Sequence, residues 1–128
     1  MPFDTLTTAA VRQELISQIV PGRVQRVVQS SVHSIGLEIY AGTRTNLLIS
    51  ANPQNPYIAL TEEKPRRGTE VPSPLEQLLR KYVRSARLVD IEQPELERIL
   101  ILHFEGPDGV TSLVCEMMGR LANIILVD

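Results

Sequence analysis

Ser73-Pro74-Leu75-Glu76-Gln77-Leu78-Leu79-Arg80-Lys81-Tyr82-Val83-Arg84-Ser85-Ala86-Arg87 reads as a helix set between two runs of β-like sequence. Its first four residues make a capping box with Pro at the first helical position. The Ser73 hydroxyl is placed to accept from the third helical N–H, and Glu76 to reach back to the cap. Leu75, Leu78, Leu79, Tyr82, Val83 and Ala86 then follow at helical spacing as one apolar stripe. Arg80, Lys81, Arg84 and Arg87 hold the opposite side.

Upstream, Thr5 to Ile19 reads as a first helix. Leu6, Ala9, Ala10, Gln13, Ile16 and Val20 mark its stripe, widened by Val11, Leu15 and Ile19. Asp4 is placed as its cap, and Pro21-Gly22 stops it. Short β-like runs follow at Arg23 to Gln29, Ser34 to Tyr40, Thr45 to Ser50 and Tyr57 to Thr61. Ala41-Gly42-Thr43-Arg44 closes a hairpin between the second and third of these. Glu62 to Pro72 is basic, polar and Pro-containing, which predicts an exposed loop.

Downstream of the central helix the pattern returns to β. Arg87 to Gln93 and Arg98 to Glu105 flank the turn Pro94-Glu95-Leu96-Glu97. Ile99 to Leu102 is apolar on both faces, as expected of a central strand. Gly106-Pro107-Asp108-Gly109 is a turn, and Thr111 to Met118 and Ala122 to Val127 make a last pair. Helix, about four strands, helix, about four strands predicts an α+β fold: antiparallel sheets with two helices packed on them.

The 128 residues suit one domain. Hydrophobic residues at 43% and charged residues at 22% are ordinary for a globular chain. With no Trp, two Phe and three Tyr, an aromatic platform for single-stranded nucleic acid is hard to build. No apolar run approaches the roughly 18 residues of a membrane helix. Met1-Pro2-Phe3-Asp4 is not a secretory start, and Cys115 has no cysteine to pair with. These features predict a cytoplasmic setting.

The net charge of −2 weighs against nucleic acid, but its distribution is uneven. Residues 1–59 carry +1, residues 60–87 carry +3 and residues 88–128 carry −6. The basic helix side, with Lys64, Arg66 and Arg67 nearby in sequence, reads either as a solvated face or as a track for a phosphate backbone. His33 and His103 lack metal-ligand spacing, so no metal is expected. Cys115 reads as a core thiol. No glycine-rich phosphate loop or nucleophile elbow is present, and no cofactor is called for. Pro2 offers a secondary amine if Met1 is removed, the group a Schiff-base lyase would need. The plainer reading is an ordinary Met-Pro start, and no enzyme activity is expected. Glu97-Arg98 is either an ion pair at a sheet edge or a polar grip on a ligand.

Seven stretches, in order, resemble one family. They are Met1-Pro2-Phe3-Asp4; Gly22-Arg23-Val24; Leu47-Leu48-Ile49-Ser50-Ala51 with Pro53; Leu60-Thr61-Glu62-Glu63-Lys64; Leu78-Leu79-Arg80-Lys81; Ile91-Glu92-Gln93-Pro94 with Leu96-Glu97-Arg98-Ile99; and Met118-Gly119-Arg120 with Asn123-Ile124-Ile125-Leu126. Together they resemble the NFACT N-terminal domain, also called the fibronectin-binding protein A N-terminal domain, across almost the whole chain.

The resemblance implies an antiparallel β-sandwich with two flanking helices, similar to the N-terminal domain of formamidopyrimidine DNA glycosylases. It implies that residues 1–128 are one domain, a portion of a longer parent. It implies a non-catalytic module of bacterial ribosome-associated quality control. Such a module binds tRNA and, through the parent, the stalled large ribosomal subunit with its peptidyl-tRNA, and it recruits tRNA for C-terminal alanine tailing. Its tRNA-contacting positions would fall on Asp4, Glu97 and Arg98, with Glu97 standing where the family has Asp. Arg80, Lys81 and Arg84 are further candidates for phosphate contact. The family's Gly-Arg-His-Ser-Asn run is here Gly119-Arg120-Leu121-Ala122-Asn123, and its Ala-His-Pro is Ala51-Asn52-Pro53. An alternative implied by the family's older label is an adhesin domain for fibronectin. A glycosylase or lyase using Pro2 is a third.

Overall fold

The computed structural model describes residues 5–68, 73–94, 97–117 and 123–127. Among the described residues, two helices each precede four strands, the order expected. Helix α1 spans Thr5–Ile19; strands β1 (Gly22–Ser31), β2 (Ser34–Tyr40), β3 (Arg44–Ser50) and β4 (Tyr57–Thr61) follow. Helix α2 (Pro74–Tyr82) precedes β5 (Arg87–Glu92), β6 (Ile99–Gly106), β7 (Gly109–Glu116) and β8 (Asn123–Val127). All pairings are antiparallel, in the order β4-β3-β2-β1-β5-β6-β7-β8. The fold is therefore α+β.

The expected sandwich takes the form of one continuous eight-stranded sheet. Its two four-stranded halves are joined by the pairs Gly22↔Leu88 and Arg23↔Arg87, extended by backbone bonds of Val24 with Ala86 and Ser85. Beyond that joint β1 and β5 part, and the helices span the gap: α1 touches β4, β5 and β6, and α2 touches β1 and β8. One apolar cluster fills the interior, drawing Val24, Leu37, Ile39 and Leu47 from the first half and Leu88, Leu100, Phe104 and Leu113 from the second.

Strand alternation sets which side chains enter that core. The register stacks Val27–Leu37–Leu47–Leu60 in the first half and Ile91–Leu102–Leu113–Leu126 in the second. Strand β6 is internal to the sheet, as its double-faced apolar run predicts; Leu100, Leu102 and Phe104 are buried while Ile99, Ile101 and His103 are half-buried on the other face. Cys115 is a core thiol, and burial pushes it up to about 12.

Three local readings are corrected. In α1, Thr8, Leu15 and Ile19 are the buried positions, whereas Ala10 and Gln13 are exposed. The core-facing stripe is therefore the widened one, Leu15 and Ile19 with Val11, Ile16 and Val20 packed beside them, and the Arg12 Nε ties the helix to β5 by donating to the Ile91 carbonyl at 2.7 Å. Helix α2 ends at Tyr82, short of the Ala86 to which its stripe extends. The Arg84 N–H returns to the Leu79 carbonyl, and Ser85 adopts φ 72°, so Ala86 leaves in strand direction and its carbonyl accepts from Val24. The hairpin loop is Ala41-Gly42-Thr43, with Arg44 already in β3 opposite Tyr40.

The basic loop is exposed, as expected, but its described part is strapped to the sheet. Arg26 donates to the Pro65 carbonyl at 3.1 Å, and the Gly68 N–H to the Gln29 carbonyl at 3.1 Å. Pro65 lies on Gly36 so closely that a Cβ there would come within 2.5 Å of its ring.

Candidate nucleic-acid interface

Glu97 and Arg98 lead into β6, and both side chains are exposed. Their backbone is fixed on three sides. The Glu97 N–H donates to the Pro94 carbonyl at 3.1 Å, and its carbonyl accepts from Gln93 Nε2 at 2.9 Å. The Arg98 carbonyl accepts from the Met117 N–H at 2.8 Å. The sheet thus presents the guanidinium outward from a rigid base. It has no ion-pair partner among the described residues.

Asp4 lies outside the described residues, as do Pro2 and the Gly119–Ala122 stretch. The direction of α1 is informative nonetheless. Its C-terminal end meets the sheet near the Gly22↔Leu88 joint, and Arg12 reaches Ile91 further along β5. The first turn at Thr5 therefore points toward the end of β5 from which the Gln93–Arg98 segment departs. The first turn of α1 thus lies toward the end of the sheet that carries Glu97 and Arg98.

Arg80 and Lys81 of α2 and Arg84 just beyond it have unlike surroundings. Arg80 is tied down: its Nη2 lies 3.2 Å from Glu76 Oε2, while Arg67 Nη1 lies 3.0 Å from the same oxygen. Glu76 is fully buried, and Oε2 also accepts from the Gln29 N–H at 3.4 Å. Only half of the expected capping box forms. Ser73 Oγ accepts from the Glu76 N–H at 3.1 Å, but the Glu76 carboxylate turns inward to β1 instead of back to the cap. A buried carboxylate needs compensating charge, and two arginines supply it. Lys81 lies over its neighbour Tyr82, 5.0 Å from the ring centroid. Arg84 is exposed.

Position along the sheet separates these groups. Leu75, near the start of α2, lies by Asn123, whose β7 partner is Glu116, which in turn pairs with Ile99. Lys81 and Arg84, at the far end, line a groove with Gly106-Pro107. From Arg98 to Glu105 is seven steps along β6, roughly 23 Å at strand rise. The structure thus assembles no single cluster of Glu97, Arg98, Lys81 and Arg84.

This geometry can be set beside known proteins. The family model for NFACT N-terminal and middle domains matches residues 4–128. The chain belongs to the NFACT family. Among curated NFACT relatives, the Rqc2 homolog RqcH of Bacillus subtilis is 34% identical over 134 residues, covering 100% of this chain and 23% of the relative. The archaeal Rqc2 homolog aRqcH of Methanocaldococcus jannaschii is 38% identical over 92 residues, covering 72% of this chain and 13% of the relative. The N-terminal domain of the fibronectin-binding protein PavA from Streptococcus pneumoniae superposes with a TM-score of 0.90 at 32% identity, covering 98% of this chain and 49% of that one. The N-terminal part of the fibronectin/fibrinogen-binding protein from Streptococcus suis gives 0.90 at 30%, with the same coverage. The chain spans about a quarter of the bacterial RqcH relatives and about half of these solved chains.

Proposed function

We propose that this NFACT chain is a single-domain, non-catalytic RNA-contacting module of a longer cytoplasmic ribosome quality control factor. It grips tRNA with Arg98, oriented by Glu97 and joined by Asp4. In the parent it serves binding to the stalled large subunit with its peptidyl-tRNA and the recruitment of tRNA for C-terminal alanine tailing. The observation that carries this reading is the Arg98 guanidinium itself: exposed, without an ion-pair partner, on backbone held from three sides. A guanidinium fork so displayed suits bidentate contact with phosphate or a base edge. Glu97 beside it keeps the negative charge of the family's Asp, one methylene further out.

The test is tRNA binding by the 128-residue chain at low and moderate salt, with Arg98→Ala alongside. Loss of a charge-assisted contact is expected to weaken binding by about tenfold. Unchanged binding by the variant would remove Arg98 from the site. A second reading, fibronectin binding, is supported by the names of the two solved relatives. Capture of the chain by immobilised fibronectin, unaffected by competing tRNA, would favour it.

A further inference from the structure

A row of exposed side chains crosses the joint between the two halves of the sheet. Register places Arg44, Tyr40, Arg23, Arg87, Glu105 and Val110 directly opposite one another on successive strands from β3 to β7. All six are exposed. Three of the first four are arginines, and the fourth is a half-exposed tyrosine. Like charges directly opposite each other on paired strands are unfavourable, yet Arg23 and Arg87 form such a pair. Arg23 is held in place by its Nη1, which donates to the Ser85 carbonyl at 2.7 Å. With Ser85, Arg87, Glu105 and the Gly106-Pro107 turn it lines an open cavity of about 320 Å³. Across the same turn lie Lys81 and Arg84.

The acidic groups near this row neutralise it only in part. Glu38 is spent on Arg44, at 3.6 Å. Glu105 stands opposite Arg87 in register without forming an ion pair with it, and Asp108 sits in the turn beyond.

We propose that the row Arg44–Tyr40–Arg23–Arg87 is a second RNA-binding surface, which takes the phosphodiester backbone with the Arg23–Arg87 pair on one phosphate and Tyr40 against an adjacent ribose or base. The choice of RNA rests on the reading above, but the surface is separate, at the opposite end of β6 from Arg98. Three strand spacings separate Arg44 from Arg87, about 14 Å, enough to reach more than one phosphate along a strand. An anion between Arg23 and Arg87 turns their repulsion into two charge-assisted contacts. An aromatic face among the arginines suits RNA better than an acidic peptide, because every base offers a π-face.

The experiment titrates the ¹⁵N-labelled 128-residue chain with a short RNA hairpin, and repeats it with Arg44→Gln/Arg87→Gln. Neither side chain is buried, so the variant is expected to keep the wild-type amide spectrum elsewhere. The expected result is amide shifts at Tyr40, Arg23 and Arg87. The variant should weaken affinity at least fivefold and lower the salt slope by about 1.5, near 0.7–0.9 per lost contact. Shifts confined to Glu97 and Arg98, with the variant binding as wild type, overturn the second surface and leave the tRNA reading standing. Shifts in the row that persist in Arg98→Ala support it even if Arg98 proves silent. Absence of shifts in the row at the lowest salt overturns it. Equal affinity for poly-glutamate also overturns it, and assigns the row to an acidic protein.

Discussion

Glu76 shows how one residue can satisfy a sequence rule by half and serve the fold with the other half. Its N–H donates to the Ser73 hydroxyl, as the Ser73-Pro74-Leu75-Glu76 pattern predicts, but its carboxylate is buried between Arg67, Arg80 and the Gln29 N–H. Only the tertiary structure brings Arg67 and β1 to that carboxylate. Arg80 thereby changes meaning, from a free phosphate contact to a partner of a buried charge. Glu76→Gln should cost about 2 kcal/mol in urea denaturation, less than the loss of a fully enclosed pair because both arginines can turn to water. A loss below about 0.5 kcal/mol would show that the carboxylate is not needed as a charge. Arg98 is the opposite case: its place where a turn enters a strand is legible from Pro94 to Leu102, while its exposure and the hydrogen bonds that fix its backbone are not.

Whole elements were largely legible because their signals are local. The alternation from Ser34 to Tyr40 marks β2, and β4 spans Tyr57–Thr61 as its run predicts. The end of α2 was not legible, since Val83 and Ala86 continue the apolar spacing past the last helical turn. They are buried all the same, reached by the turn at Ser85 and not by further helix. The strap over β1 and β2 was likewise hidden: a polar, Pro-containing segment looks like a free loop until Gly36 and Gly68 are seen pressed against Pro65 and Ser30. Gly36→Ala should force Pro65 off the sheet. The expected outcome is faster amide exchange at Gly68, whose N–H bonds Gln29, with a global stability loss of about 1 kcal/mol. Unchanged exchange at Gly68 would mean that the strap tolerates a methyl group beneath it.

At the scale of the molecule, the two halves of the sheet share a short joint and one continuous core, so they should not unfold separately. Phe104 is fully buried on β6 and belongs to the cluster that also holds Leu37 and Ile39. Phe104→Ala is expected to cost about 3–5 kcal/mol. Hydrogen exchange should rise together in β2–β3 and in β6–β7; a rise confined to β6–β7 would mean two independent units. The sequence by itself determined the element order, the capped central helix, the buried and exposed faces of most strands and the family, because these depend on residue types at short spacing. Tertiary structure alone decided that the strands form one sheet with β1 beside β5. That pairing follows from long-range backbone hydrogen bonds, which leave no periodic trace in the chain. It is also what sets Arg23 against Arg87, sixty-four positions apart, and separates them from Arg98 by most of the length of β6.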